Sequence, residues 1–267
     1  MGHRVPIPNL LGASPVTEQK WLTSNDFFRD EFLVGIVEHA RENQRLSVLM
    51  ATQALWRATE VFGGPKKNLV KKAISDAERL AEKEISGTAL KEYLAEFRGL
   101  TDAGYEYGAE VDRMQNWELR MQGFPYCDGE VQCGLWQIAQ IFQGGHYRWR
   151  TLINARQAVI AASPKGDERQ RVRQAERLWQ TQLVRDLFPN PFKPKVKIKR
   201  VWLRWREGTV KKIARSIYER NSFDELPILA DALEEAGCDN PQIPNHLRGV
   251  GPHFKGCWAL DLILGNP

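Results

Sequence analysis

A chain of 267 residues with 42% hydrophobic side chains, nine tryptophans among them, can build one large domain or two modest ones. Its 38 basic and 33 acidic residues leave a net charge of +5. With a mean hydropathy of −0.47, that balance excludes a membrane protein and a wholly disordered chain. Residues Met1 to Pro15 hold no apolar core followed by a small-residue cleavage site, so export is not expected. The uncharged stretch Cys133 to Tyr147 carries three glutamines and a Gly-Gly pair and falls short of the roughly 20 apolar residues a spanning helix needs. Four cysteines are too few for a disulfide scaffold, and reduced thiols in the cytoplasm are the expectation.

In chain order, the apolar residues first recur with helical period. Phe32, Ile36, Val37 and Ala40 form one stripe, Leu46, Leu49, Met50 and Ala54 a second, and Leu69, Val70, Ala73, Ile74, Ala77, Leu80 and Ala81 a third. Breaks fall at Gly63-Gly64-Pro65, at Ser86-Gly87 and at Gly99, and Thr88 is placed to open a helix carrying Leu90, Leu94 and Phe97. An irregular Gly, Cys and aromatic segment at 123–134 precedes a strongly charged helix from Asp167 to Asp186. Three prolines between Phe188 and Pro194 exclude helix there and place a linker at 189–194, between an N-terminal domain of residues 1–188 and a C-terminal module of residues 195–267.

In that module, Val196 and Ile198 alternate with Lys195, Lys197 and Lys199, which suggests a short extended segment reaching towards Trp205. Thr209 then opens a helix with Val210, Ile213, Ala214 and Ile217 on one face and Lys211, Lys212 and Arg215 on the other. Leu226, Leu229, Ala230, Leu233 and Ala236 form a second stripe, with Pro227 in its first turn and Gly237 placed as its C-terminal cap, so the two make a helical hairpin. The fold class that follows is mainly α: a multi-helical N-terminal domain and a small helical C-terminal module. No repeat of 20 to 50 residues is present.

Several unusual runs occur in order after residue 185. They are Asp186-Leu187-Phe188-Pro189-Asn190-Pro191-Phe192, Trp202-Leu203-Arg204-Trp205, Gly208-Thr209-Val210, Ile217-Tyr218, the run from Phe223 to Cys238, and His246-Leu247-Arg248-Gly249. The last is Gly251-Pro252-His253-Phe254-Lys255-Gly256-Cys257-Trp258, followed by Asp261-Leu262 and Leu264-Gly265. Together they resemble an uncharacterised planctomycete-type family of bacterial proteins that pair a variable helical N-terminal region with such a module. The resemblance implies a helical C-terminal module and supplies no catalytic residue or ligand. Two features depart from that pattern: Cys127 and Cys133 stand where an alanine-rich middle is usual, and the stretch before Thr209 is more basic.

The sharpest cluster is Cys238, His246, His253 and Cys257, two thiols and two imidazoles separated by 7, 6 and 3 residues, the ligand types of a closed tetrahedral zinc site. Gly249, Gly251 and Gly256 would let the intervening loop fold back over the hairpin. The alternative is that both cysteines are small buried hydrophobes while the histidines bond loop backbone. Beyond this zinc no cofactor is expected. A cysteine-dependent enzyme would use Cys257 as nucleophile, His246 or His253 as base and Asp261 as orienter, and is the least favoured reading. Cys127 and Cys133 are read as buried thiols.

Residues 193–215 hold ten Lys or Arg and one acid, a local charge of +9 that leaves −4 for the rest. Lys195, Lys197, Lys199, Arg200, Arg204, Arg206, Lys211 and Lys212 are therefore candidate nucleic-acid contacts, with Trp202 and Trp205 interleaved for stacking and arginines 169, 171, 173 and 177 on the preceding helix. The competing reading makes the tryptophans core and the lysines a solvated face. No phosphate-cradling loop, His-Glu-x-x-His motif or dinucleotide fingerprint is present. The leading functional expectation is a non-enzymatic interaction or scaffold protein that docks a protein partner. A nucleic-acid-binding accessory role follows, and no membrane partner is expected.

Overall fold

The computed structural model describes residues 17–25, 43–61, 67–85, 88–96 and 148–266. It is mainly helical, and among the described residues there is no strand. The helices are α1 (Glu18–Thr23), α2 (Gln44–Thr59), α3 (Lys67–Ala81), α4 (Thr88–Glu96), α5 (Arg148–Ala162), α6 (Asp167–Leu187), α7 (Arg200–Arg220), α8 (Leu226–Glu235), α9 (Gln242–Leu247) and α10 (Trp258–Leu264). No helix among the described residues is long and apolar enough to cross a membrane. The expected helix over residues 32–40, the break at Gly63-Gly64-Pro65, the segment 123–134 and Cys127 and Cys133 lie outside the described residues.

The chain divides into two units. The first comprises Met1–Pro15 and Asn25–Gln180, the second Val16–Ser24 and Thr181–Pro267. In the first, α2 packs against both α3 and α5. Burial on nearly every side explains why its apolar residues spread round the whole helix: Val48, Leu49, Met50, Ala51, Ala54, Leu55 and Ala58 are all buried. Its polar residues on those faces are satisfied locally. The Thr52 and Thr59 hydroxyls donate to the Leu49 and Trp56 carbonyls, Asn43 caps the Leu46 amide, and buried Arg45 pairs with Glu82. α3 is amphipathic in the ordinary way, burying Val70, Ala73, Ile74, Ala77 and Ala81.

The second unit draws on both ends of the chain. Arg185 near the end of α6 donates to the backbone carbonyls of Trp21 and Ser24, and Glu18 accepts from Asn190 and Lys193. The proline-rich stretch expected to separate two domains thus lies inside this unit, pinned by α1, and the division falls earlier, within α6. α7 packs on α8 and α10, and α9 packs on both of those. Trp202, Val210, Ala214, Ile217, Leu226, Leu229, Leu233, Ile243, Leu247, Leu260 and Ile263 form their common core.

The alternation of residues 195–199 does put Val196 in the core and the lysines outside, but no strand forms there. Pro194 offers no amide, no partner strand is at hand, and helix begins at Arg200. α7 is really two helical pieces, because Trp205 to Gly208 leave helical geometry, with Arg206 (φ 42°), Glu207 (φ 57°) and Gly208 (φ 82°) all left-handed. Helix resumes at Thr209, where the sequence places its start. α8 begins with Pro227 in its first turn and ends in a Schellman cap. Gly237 adopts φ 82°, its amide donates to the Glu234 carbonyl, and the Cys238 amide donates to the Leu233 carbonyl.

Candidate metal centre

Four side chains from separate elements of the second unit converge: Asp186, His246, His253 and Cys257, whose ligand atoms all lie within 4.8 Å of one another. Asp186 comes from the last turn of α6, His246 from the last turn of α9, His253 from the loop after it, and Cys257 is the residue that caps the N-terminus of α10. Two glycines give the loop room for this. A Cβ on Gly249 would meet the His246 carbonyl at 2.9 Å, and one on Gly251 would meet the His253 amide at 3.0 Å and its ring at 3.2 Å.

The carboxylate is the hub. Asp186 Oδ1 lies 2.6 Å from His253 Nδ1 and 3.1 Å from His246 Nε2, while Oδ2 accepts from the Phe254 amide at 2.8 Å. His246 Nε2 is also 3.3 Å from Cys257 Sγ. The other nitrogen of His253 lies 3.3 Å from the Gly249 carbonyl. With acceptors at both ring nitrogens, His253 is suited to the imidazolium form in the metal-free protein. Asp186 is only 3% exposed, Cys257 is fully buried, and the side chains of His253 and His246 are 10% and 19% exposed.

Electrostatics follow from this enclosure. Burial opposes a charge on Asp186, but its hydrogen bonds to His246 and His253 and the electrostatic attraction of that pair of rings outweigh it and hold its carboxyl below the usual value. For His253, burial works against the imidazolium, and the bond to Asp186 overcomes it, so its value is raised. The Cys257 thiol is pushed well above its ordinary range, first by burial and then by the Asp186 charge. Without a metal, then, the site favours a carboxylate at Asp186, the protonated form of His253 and a neutral thiol at Cys257.

The sequence expectation shares three residues with this cluster. Cys238 lies elsewhere, at the C-terminal cap of α8, where its thiol donates to the Asn240 carbonyl and burial raises its value. Asp186 takes the fourth position. The catalytic arrangement of Cys257, a histidine and Asp261 is not what forms. Asp261 accepts from the Asn266 side chain, and a single nitrogen of His246 faces both Asp186 and Cys257. A base that relays a proton needs the thiol and the orienting carboxylate on opposite ring nitrogens.

Beside the cluster lies a cleft of about 400 Å³ lined by Phe223, Asp224, Pro227, Leu247, Gly249, Gly251, Pro252 and His253. Val250 and Ile228, neighbours in sequence of its lining, are exposed, Val250 fully.

Of the basic candidates, Lys195, Lys197, Lys199, Arg200, Arg204, Arg206, Lys211 and Lys212 are all exposed. Lys199 pairs with Asp239 and Arg206 with Glu235. Trp202 is a core residue, and Trp205 packs against the core with Arg206 stacked 4.4 Å from its ring. On the preceding helix, Arg169 is spent on the Ser163 and Ala161 carbonyls and Arg171 on Glu168. No protein-family model, curated protein or solved structure matches the chain.

The ion pair sets a pH dependence in metal-free protein. Asp186 contributes stability above the ordinary carboxylate value of about 3.9, and loses it as pH falls through its depressed value. His253 contributes below the ordinary histidine value of about 6.5, and loses it as pH rises through its raised value. The pair is therefore complete between those limits. In chelator-treated protein, the Tm advantage of wild type over His253→Gln should shrink as pH rises above the ordinary histidine value of about 6.5. Thermal melts followed by circular dichroism measure it, and an advantage that stays constant over that range contradicts the assignment.

Proposed function

We propose that the C-terminal unit is a zinc-stabilised helical module whose role is to dock a protein partner. The observation that carries the zinc assignment is the convergence of Asp186 Oδ1, His246 Nε2, His253 Nδ1 and Cys257 Sγ in a nearly closed pocket. A tetrahedral ion with bonds of about 2.0 Å to nitrogen and oxygen and about 2.3 Å to sulfur sets its ligand atoms roughly 3.3 to 3.6 Å apart. The separations of 3.1 and 3.3 Å stand close to that, and the Asp186–His253 contact needs to open by less than about an ångström.

The surroundings suit a metal as well. Ligating histidines characteristically donate their second nitrogen to a carbonyl, as His253 does to Gly249, and ligating carboxylates are themselves hydrogen-bonded, as Asp186 is by the Phe254 amide. Zinc binding would also displace the Cys257 proton to solvent and leave a thiolate whose charge the ion neutralises. Four protein ligands leave no open position for substrate, so the ion's role is to hold the loop and helix ends together. All four ligands fall within the motifs that carry the resemblance to the planctomycete-type family, and the proposal extends to that family's module.

The docking half of the proposal rests on the cleft that shares His253 with the metal centre. Its apolar lining of Phe223, Pro227, Leu247 and Pro252, with exposed Ile228 and Val250 beside it, suits an apolar anchor from a protein partner.

Protein purified without added zinc should contain one equivalent by elemental analysis. Cys238→Ser should keep it, whereas Cys257→Ser and His253→Ala should each lose most of it. Zinc below about a tenth of an equivalent, or its loss in Cys238→Ser, overturns the site. For docking, affinity purification of the full chain after nuclease treatment should recover a stoichiometric protein that Val250→Glu with Ile228→Glu releases while zinc is retained. Recovery of the same proteins by that variant contradicts the assigned surface.

A further inference from the structure

We infer that the exposed face of α7 and the segment before it bind the phosphate backbone of double-stranded nucleic acid, without reading its sequence. Ten cations lie between residues 193 and 215, and ion pairs account for only three: Lys193 with Glu18, Lys199 with Asp239 and Arg206 with Glu235. The other seven, Lys195, Lys197, Arg200, Arg204, Lys211, Lys212 and Arg215, are exposed, and none has a carboxylate partner among the described residues.

Backbone geometry groups them. Val196 and Ile198 turn inward, which sends Lys195 and Lys197 outward. Trp202 anchors the first helical piece in the core and leaves Arg200 and Arg204, one turn apart, on its open side. Val210, Ala214 and Ile217 anchor the second piece, so Lys211, Lys212 and Arg215 share the outer face. Glu207 and Glu219 are the acids within α7. Elsewhere in the unit Glu235 and Asp239 are engaged by Arg206 and Lys199, and Asp231 and Glu234 by Arg248, so these carboxylates do not neutralise the seven.

Chemistry narrows the partner. Duplex nucleic acid presents one negative charge per roughly 1.7 Å of axis, a density that rewards several fixed cations through release of condensed counterions. Single-strand binding draws much of its energy from bases stacked on aromatic rings, and here Trp202 is buried while Arg206 covers Trp205. A bilayer surface would want an apolar stripe beside the charge, and in Arg200–Arg220 the exposed large apolar residue is Val201 alone.

The test is anisotropy of a labelled 20-base-pair duplex of arbitrary sequence titrated with the full chain, starting near 50 mM salt. Binding should weaken linearly in log salt with a slope no steeper than about −6, the limit for seven contacts. Lys211→Glu, Lys212→Glu and Arg215→Glu together should cut the affinity at least tenfold and flatten the slope by about 3. The neutral set Lys211→Gln, Lys212→Gln and Arg215→Gln should flatten it similarly. A control that removes the same charge from the first unit, Lys83→Glu with Lys91→Glu and Lys165→Glu, should change affinity less than threefold. Absence of duplex binding at about 50 mM salt, an equal loss in the control, equal affinity for poly-glutamate, or a tenfold preference for the single strand would each overturn the inference.

Discussion

A carboxylate in the last turn of a helix, among apolar neighbours, sits against the helix dipole and out of water, two unfavourable terms for a charged group. Asp186 tolerates both because three donors reach it, from His246, His253 and the Phe254 amide. Those donors come from the last turn of α9 and the loop that follows it, and that loop has few other anchors: Val250 is fully exposed and Gly249 and Gly251 carry no side chains. The folding of the C-terminal loop is therefore tied to one residue some 60 positions upstream. Removing one partner of such a buried pair costs about 3 to 5 kcal/mol, because the remaining charge is stranded.

The same constraint explains what could and could not be read from the sequence. Regularities confined to one element were legible. The charged run beginning at Asp167 is a helix, Thr209 reopens one, and the stripe of Leu226, Leu229, Ala230 and Leu233 faces the core and ends at Gly237. His246, His253 and Cys257 stood out as ligand types at close spacing. Asp186 did not, because a lone acid ending a charged helix resembles its solvated neighbours, and the proline-rich stretch after it looked like a boundary that would separate it from the histidines. Its one local signal was a position flanked by Leu183, Val184 and Leu187, all buried. Residue type alone places Cys238 in the ligand set, although its position after Gly237 makes it the end of a helix cap bonded to its own turn. The docking of α1 through Arg185 and Glu18 links positions more than 160 residues apart, which no local pattern records.

The two proposals fall on different parts of the second unit. The buried donor set suits an ion that holds structure, the cleft beside it suits an apolar anchor, and the cations of α7 are left outward by a core that takes up its tryptophans. Trp202 and Trp205 thus serve the fold and leave exposed charge as the main feature of that face. The left-handed residues Arg206 and Glu207 cost about 1 to 2 kcal/mol each. Stacking of Arg206 on Trp205 and its pairing with Glu235 help hold the bend.

That Asp186 organises the C-terminal loop is tested most directly by amide hydrogen exchange, followed residue by residue in wild type and Asp186→Ala. The account requires the Phe254 and Cys257 amides, protected in wild type, to exchange at least tenfold faster in the variant while Ala214 and Ile217 in α7 keep their protection. Unchanged protection at Phe254, or an equal loss across α7, would show that the loop is held by something other than this carboxylate.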